Sequence, residues 1–94
     1  DIIMDEKHLL VFSAKWCGPC RMMRQYVWDT EEIKSELDGF TSVNFLDIDD
    51  PNNRNMVMTY RISAVPTIHI VNGKGLPIKS ASTMNLNQTI SFLK

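Results

Sequence analysis

The segment Trp16–Cys20 (Trp-Cys-Gly-Pro-Cys) holds both cysteines of the 94-residue chain and restricts its fold more than any other stretch. It follows an apolar run of strand length, Leu9 to Ala14, and it precedes apolar residues at helical spacing, Met22, Met23, Tyr26 and Val27. The segment is therefore predicted to form the turn between a strand and a helix.

At such a turn Cys17 lies at the helix N-terminus, where unpaired N–H groups and the helix dipole favour a thiolate, so its pKa is expected to be lowered. Cys20 lies one turn further in, close enough to form a disulfide with Cys17. Pro19 suits a first helical turn, and Gly18 lets another backbone approach closely. The spacing predicts an exposed attacking thiol, Cys17, and a sheltered resolving thiol, Cys20.

Two other uses of the cysteine pair are less favoured. A static structural disulfide that closes so short a loop restrains the unfolded chain very little. A zinc or iron–sulfur site usually needs four ligands, and the pair supplies two. Since only His8 and His69 could assist, a metal site would need a second subunit or an external thiol. We therefore expect a redox dithiol that needs no metal and no cofactor.

The pentapeptide after an apolar strand resembles the active site of the thioredoxin family. Ala64–Thr67 (Ala-Val-Pro-Thr), followed by the apolar strand Ile68–Val71, resembles that family's second hallmark, a cis-proline loop that faces the dithiol. The resemblance extends from about Leu9 to Lys94. More loosely, Tyr26–Leu37 is similar in pattern to the C-terminal domain of DsbD.

This resemblance implies roles for residues around the dithiol. Cys17 and Cys20 would be catalytic, and the peptide bond before Pro66 would be cis. Val65 would hold an extended substrate segment by its backbone, as in strand addition. An apolar rim for the incoming polypeptide is expected from Trp16. The implied substrate-binding residues are Trp16, Gly18, Pro19, Val65 and Pro66.

The remaining patterns predict a β-α-β-α-β-β-α order, which the resemblance identifies as a minimal α/β thioredoxin fold with a central mixed sheet flanked by helices. We expect one domain over residues 1–94, with residues 1–8 as an N-terminal arm or short edge strand. The further strands are predicted at Thr41–Ile48, Thr67–Val71 and Leu76–Ser80. The helices after the dithiol are predicted to begin at Asp29, Asp50 and Asn85.

Several positions depart from the family's pattern. Thioredoxins commonly carry a buried aspartate and a lysine that help to move the resolving thiol's proton, and Val11 and Phe45 stand at those positions here. Gln25 replaces a proline in the active-site helix. The absence of these charges is expected to affect the rate at which Cys20 attacks the mixed disulfide on Cys17, and also the reduction potential of the cysteine pair.

Three polar side chains allow more than one interpretation. We expect His69, on a buried strand, to be a structural histidine with its hydrogen bonds satisfied, and His8 to be simply exposed. Lys15, beside Trp16, is equally compatible with a role in stabilising the thiolate and with a solvated surface position.

The function predicted from these observations is reduction of protein disulfides by dithiol–disulfide exchange. A thioredoxin-reductase-like protein or a small thiol would supply the electrons. The alternatives are a thioredoxin-like binding or adaptor module, and an exported oxidant or isomerase. A dimer bridged by a metal through Cys17 is a third, which Pro66 beside the dithiol disfavours.

Charge and hydropathy narrow the partners. Ten basic and eleven acidic residues nearly balance, so nothing indicates nucleic acid or an anionic membrane. No apolar run approaches the roughly 18 to 20 residues that span a bilayer, and the N-terminus lacks a signal-peptide layout. We expect a cytoplasmic monomer, with an exported protein or an excised domain as alternatives.

Overall fold

The computed structural model describes residues 6–94, and it confirms the predicted order of strands and helices. The strands are β1 (His8–Ser13), β2 (Ser42–Asp47), β3 (Thr67–Val71) and β4 (Pro77–Ala81). The helices are α1 (Gly18–Met23), α2 (Glu31–Leu37), α3 (Arg54–Thr59) and α4 (Leu86–Leu93). Of the proposed arm, residues 1–5 lie outside the described residues, and His8 already belongs to β1.

The sheet has the strand order β2-β1-β3-β4. β1 runs parallel to β2 and antiparallel to β3, and β3 is antiparallel to β4, so the predicted mixed sheet is confirmed. A parallel pair needs a crossover connection, which the chain makes through α1 and α2. β1 is central, and Leu9–Phe12 are buried on both faces, which explains the unbroken apolar run in the sequence.

Side chains of β1 alternate between two core layers. Leu9 and Val11 face a cluster that includes residues of α2 and α4. Leu10 and Phe12 face the opposite side, where α3 packs through its predicted apolar residues. The dithiol therefore follows a strand that is fixed from both sides.

Within residues 6–94 no helix is long and apolar enough to cross a membrane.

The active-site helix changes geometry where the family has its proline. α1 continues into a π-helical turn, Arg24–Trp28, which contains Gln25. A π turn interrupts a helix as proline does, because it breaks the regular hydrogen-bond ladder. The amide of Asp29 donates to the Arg24 carbonyl at 3.0 Å and so still belongs to that turn.

The predicted cap at Asp29 is consequently wrong. Thr30 is the N-cap of α2, and its Oγ1 accepts from the Ile33 amide at 3.4 Å. The other two predicted helix starts are confirmed. Asp50 caps a short 3₁₀ turn, 51–53, that leads into α3, and Asn85 forms a reciprocal capping box with Gln88.

Candidate active site

Cys17 and Cys20 form a disulfide across the first turn of α1, as expected from their spacing. Cys17 is the N-cap residue, with an extended backbone (φ −86°, ψ 110°). The Cys20 amide donates to the Cys17 Sγ atom at 3.1 Å. A backbone donor thus lies at the sulfur where negative charge develops when the disulfide opens.

The disulfide is buried among apolar side chains. Cys17 is 4% exposed and Cys20 is 8% exposed, and with Ala14 they form a small cluster that Ile48 and Val65 cover. The prediction that Cys17 is the more open cysteine is wrong for this disulfide form, because both sulfurs are held in one covered turn. Access to the dithiol therefore depends on the surfaces around it.

The loop that contains Val65 and Pro66 meets the dithiol, as the resemblance implied. The Val65–Pro66 peptide bond is cis. The Ser82 hydroxyl donates to the Pro66 carbonyl at 3.0 Å, and the Thr67 hydroxyl donates to the Ala64 carbonyl at 2.7 Å. Within residues 6–94 the backbone of Val65 makes no hydrogen bond. The loop is fixed by its neighbours while Val65 keeps a free donor and acceptor.

Trp16 lies beside the disulfide with 66% of its surface exposed. Its indole Nε1–H donates to Asp49 Oδ2 at 2.8 Å, which fixes the ring against the segment that follows β2. Sequence reasoning missed Asp49, since nothing in a run of acidic residues singles out the one that faces an indole.

Gly18 and Pro19 complete the outer surface at the disulfide. A side-chain carbon added at Gly18 would meet no heavy atom within 4 Å, so the space beside it is open. Pro19 is exposed in the first turn of α1. Trp16, Gly18 and Pro19 thus adjoin the cysteines in the chain, Val65 packs on the disulfide, and Pro66 is buried in the same loop.

A cleft of about 600 Å³ opens on the side of Cys20. The active-site turn and α1 form one wall, and β2 forms the other. Cys20 lines this cleft and Cys17 does not. The full lining consists of Ser13, Ala14, Lys15, Cys20, Arg21, Arg24, Gln25, Asp29, Phe45 and Asp47.

Val11 and Phe45 are opposite each other on the parallel strands β1 and β2. Val11 is 3% exposed and belongs to the apolar core. Phe45 is 47% exposed, lines the cleft, and packs edge-to-face on Trp28 with ring centroids 5.7 Å apart. Both positions, for which the resemblance implies charged residues, are therefore apolar here.

The two histidines lie away from the dithiol. His69 Nδ1 is 2.6 Å from Ser80 Oγ, and burial lowers the pKa of His69, which fits the predicted structural role. The expectation that His8 is simply exposed is wrong, because its Nδ1 lies 2.6 Å from Ser42 Oγ and its Nε2 lies 3.7 Å from Glu6. In the described part of the chain no three His, Cys, Asp or Glu side chains group as metal ligands would.

Comparison with known proteins gives consistent matches. The family model described as Thioredoxin matches residues 1–94. Thioredoxin H2-1 of Oryza sativa subsp. japonica is 40% identical over 86 residues, which cover 88% of this chain and 57% of that protein. The bifunctional thioredoxin reductase/thioredoxin of Mycobacterium leprae (strain TN) is 36% identical over 80 residues, or 84% of this chain and 16% of that protein. The chain therefore spans less than two thirds of each of these two relatives.

Among solved structures, the C-terminal domain of Neisseria meningitidis DsbD in the reduced form superimposes with a TM-score of 0.77. The match covers 96% of this chain and 80% of that chain at 19% sequence identity. At that identity the likeness concerns the fold alone, and it confirms the predicted architecture.

Proposed function

The chain belongs to the thioredoxin family, and we propose from this and from its site that it reduces disulfide bonds in other proteins. The observation that carries the proposal is the Cys17–Cys20 disulfide in the first turn of α1, with the Cys20 amide on the Cys17 sulfur. A vicinal pair in this position can open and close without rearrangement of the fold, since both cysteines belong to one helical turn.

In the first step the thiolate of reduced Cys17 attacks one sulfur of a substrate disulfide. A bond forms between Cys17 and that sulfur, the substrate S–S bond breaks, and the second substrate sulfur leaves as a thiolate that takes a proton. The Cys20 amide and the N-terminus of α1 stabilise the attacking thiolate.

In the second step the thiolate of Cys20 attacks the Cys17 sulfur. The Cys17–Cys20 bond forms, the mixed disulfide breaks, and the reduced substrate leaves. Two electrons have passed from the dithiol to the substrate. The short reach from Cys20 to Cys17 makes this step intramolecular, so it proceeds without a second collision.

The substrate segment would lie over Trp16, Gly18 and Pro19 and pair with the free backbone groups of Val65. The exposed indole of Trp16 offers a flat apolar contact, and the open space at Gly18 admits a second backbone. A substrate segment that pairs with Val65 would lie as an added strand on a loop whose Val65 side chain packs on the disulfide.

The Gly-Pro pair between the cysteines resembles that of the reducing members of the family, whose potentials are about −270 mV. Regeneration by a thioredoxin-reductase-like protein is supported by the relative whose name joins the two activities in one chain. A small thiol is the other donor of suitable chemistry. The protein would act as a cytoplasmic monomer.

The proposal is tested with Cys17→Ser and Cys20→Ser in insulin reduction driven by dithiothreitol. Cys17→Ser is expected to abolish turnover, and Cys20→Ser is expected to accumulate substrate as a mixed disulfide on Cys17. Full activity of Cys17→Ser would refute the mechanism. A potential well above the thioredoxin range, measured in glutathione buffers, would instead identify an oxidant or isomerase.

A further inference from the structure

A serine, a histidine and a carboxylate meet at the end of the sheet that lies away from the dithiol. They are Ser42, His8 and Glu6, and the first two line a cavity of about 300 Å³. We propose that this group is a second active site, at which Ser42 attacks small carboxylic esters and hydrolyses them. The reaction uses neither cysteine, so the inference goes beyond the proposed function.

The register of the sheet places the serine beside the histidine. His8 and Ser42 are the first residues of β1 and β2 and are paired across these parallel strands. The His8 Nδ1 atom lies 2.6 Å from Ser42 Oγ, and the His8 Nε2 atom lies 3.7 Å from a carboxylate oxygen of Glu6. The imidazole therefore lies between the hydroxyl and the carboxylate, which is the order that a nucleophile, its base and an orienting acid require.

The neighbouring groups assign the protons of this site. With a proton on Nε2, His8 faces the Glu6 carboxylate with a donor, and its Nδ1 atom accepts the Ser42 hydroxyl. The Asn44 side-chain amide donates to Ser42 Oγ at 3.0 Å and to the Leu9 carbonyl at 3.2 Å, so it holds the hydroxyl oxygen in place. Ser42 thus directs its O–H at a base that can remove the proton as the oxygen attacks.

The cavity supplies an apolar surface for an acyl group. Its volume of about 300 Å³ lies at the lower end of the range of roughly 300 to 1,000 Å³ that is typical of small-molecule sites. The apolar part of its lining belongs to the core cluster under α3 and consists of Leu10, Leu46, Met56 and Val71. A space of this size and polarity suits a short acyl chain, such as acetyl or butyryl.

Asn72 provides an amide donor for the carbonyl oxygen of the ester. It is 8% exposed and lines the same cavity. Its Oδ1 atom accepts the backbone amides of Lys74 at 2.9 Å and Leu76 at 3.1 Å, which fixes the orientation of the side chain. Within residues 6–94 its Nδ2 atom donates to no protein acceptor. A donor that is oriented before the substrate binds stabilises the oxyanion that develops during attack.

The reaction proceeds in two balanced steps. Ser42 Oγ attacks the carbonyl carbon of the ester and gives its proton to His8 Nδ1, while the Glu6 carboxylate stabilises the imidazolium. The bond to the alcohol oxygen breaks, and the alcohol leaves with the proton from His8. Water then attacks the acyl group on Ser42 and gives a proton to His8. The carboxylic acid leaves, and Ser42 recovers its proton.

A second serine–histidine pair in the chain lacks the other parts of this site. His69 Nδ1 also lies 2.6 Å from a serine oxygen, that of Ser80. In the described part of the chain no carboxylate forms an ion pair with His69, and neither residue lines the cavity. Ser80 is therefore a matched control, because it shares the hydrogen bond but has neither the acid nor the cavity.

The test uses the oxidised protein, in which both cysteines are in the disulfide and no thiol competes for the ester. The protein is mixed with p-nitrophenyl acetate, release of p-nitrophenol is followed by absorbance, and the acetyl group is located by peptide mass spectrometry. The unaltered protein is expected to carry the acetyl group on Ser42. Ser42→Ala is expected to lower p-nitrophenol release about 100-fold, and Ser80→Ala is expected to leave it unchanged.

Two further variants test the base and the acid. His8→Gln is expected to slow acetylation of Ser42 about 100-fold, which is the lower end of the usual contribution of a general base. Glu6→Gln is expected to slow it about 2- to 5-fold, as the loss of an exposed ion pair with the imidazolium implies. Insulin reduction driven by dithiothreitol is expected to be unchanged in all these variants, because the dithiol lies at the other end of β1, and it shows that each variant is folded.

Two results would overturn the inference. One is unaltered protein that carries no acetyl group on Ser42 after p-nitrophenol has been released. The other is an equal rate of p-nitrophenol release by Ser42→Ala and Ser80→Ala. The first result needs no substitution, so it decides the question even where a variant is unstable. Neither result bears on the reduction of disulfides, which the insulin assay measures separately.

Discussion

A carboxyl group placed at position 11 tests whether the core on this face of β1 must be apolar. Val11 is 3% exposed, and its neighbours in the cluster, such as Leu9, Met23 and Ile68, are apolar. Val11→Asp loses about 1.5 to 2 kcal/mol of apolar burial and buries a polar group without a partner at about 1 to 3 kcal/mol. The free energy of unfolding at pH 7 is therefore expected to fall by about 2.5 to 5 kcal/mol, the sum of these terms.

The loss is expected to depend on pH with a defined sign. Burial disfavours the charged carboxylate, so the pKa of the group introduced by Val11→Asp is higher in the folded protein than in the unfolded chain. The folded state then binds the proton more tightly, and stability is lost as the pH rises from about 4 through the folded pKa. Urea unfolding at pH 4.5 and pH 7 measures this difference.

Val11→Ala is the matched control, since it removes apolar contacts without adding a polar group, and its deficit is expected to be the same at both pH values. A Val11→Asp deficit below about 1 kcal/mol, or one that does not change with pH, would refute the reasoning. Because Phe45 is opposite Val11, adding Phe45→Lys is expected to recover about 1 kcal/mol, which a double-mutant cycle measures.

Two further outcomes are expected from single hydrogen-bonded side chains. Burial lowers the pKa of His69, so the stability it contributes is present above its unfolded pKa of about 6.5 and is lost as the pH falls. His69→Asn is expected to flatten this part of the pH profile of the urea midpoint, and an unchanged slope would contradict the assignment. Asp49→Ala removes the acceptor at Trp16 Nε1 and is expected to increase acrylamide quenching of indole fluorescence while changing stability by less than about 1 kcal/mol. Asp38→Ala, an exposed acid in the turn after α2, is its control, and equal quenching in both variants would argue against an ordered indole.

The elements that could be predicted from the sequence are those whose signals are local. The disulfide follows from the spacing of Cys17 and Cys20, and the central strand follows from one unbroken apolar run. The capping box at the start of α4 involves only Asn85 and Gln88, which are three residues apart. The cis bond before Pro66 came from family resemblance, since base rates alone favour trans.

What could not be predicted depends on contacts between distant parts of the chain. The sequence around Asp29 fits a cap, but the π turn before it shifts the start of α2 to Thr30. The burial of Cys17 requires Val65, which is 48 positions further along the chain. The cleft joins Arg24 to Asp47, which the sheet topology brings together and no local pattern indicates.

The two sides of the disulfide differ in chemistry, and this difference bears on the apolar pair Val11 and Phe45. On one side Val65 packs on the disulfide, and its backbone makes no hydrogen bond within residues 6–94. On the other side charges of both signs surround Cys20. Charges at the cleft rim are exposed and therefore screened by salt, whereas a buried charge at position 11 would lie in a low dielectric. With Val11 and Phe45 apolar, the charges of this cleft lie at its exposed rim, where salt screens their effect on the buried sulfurs.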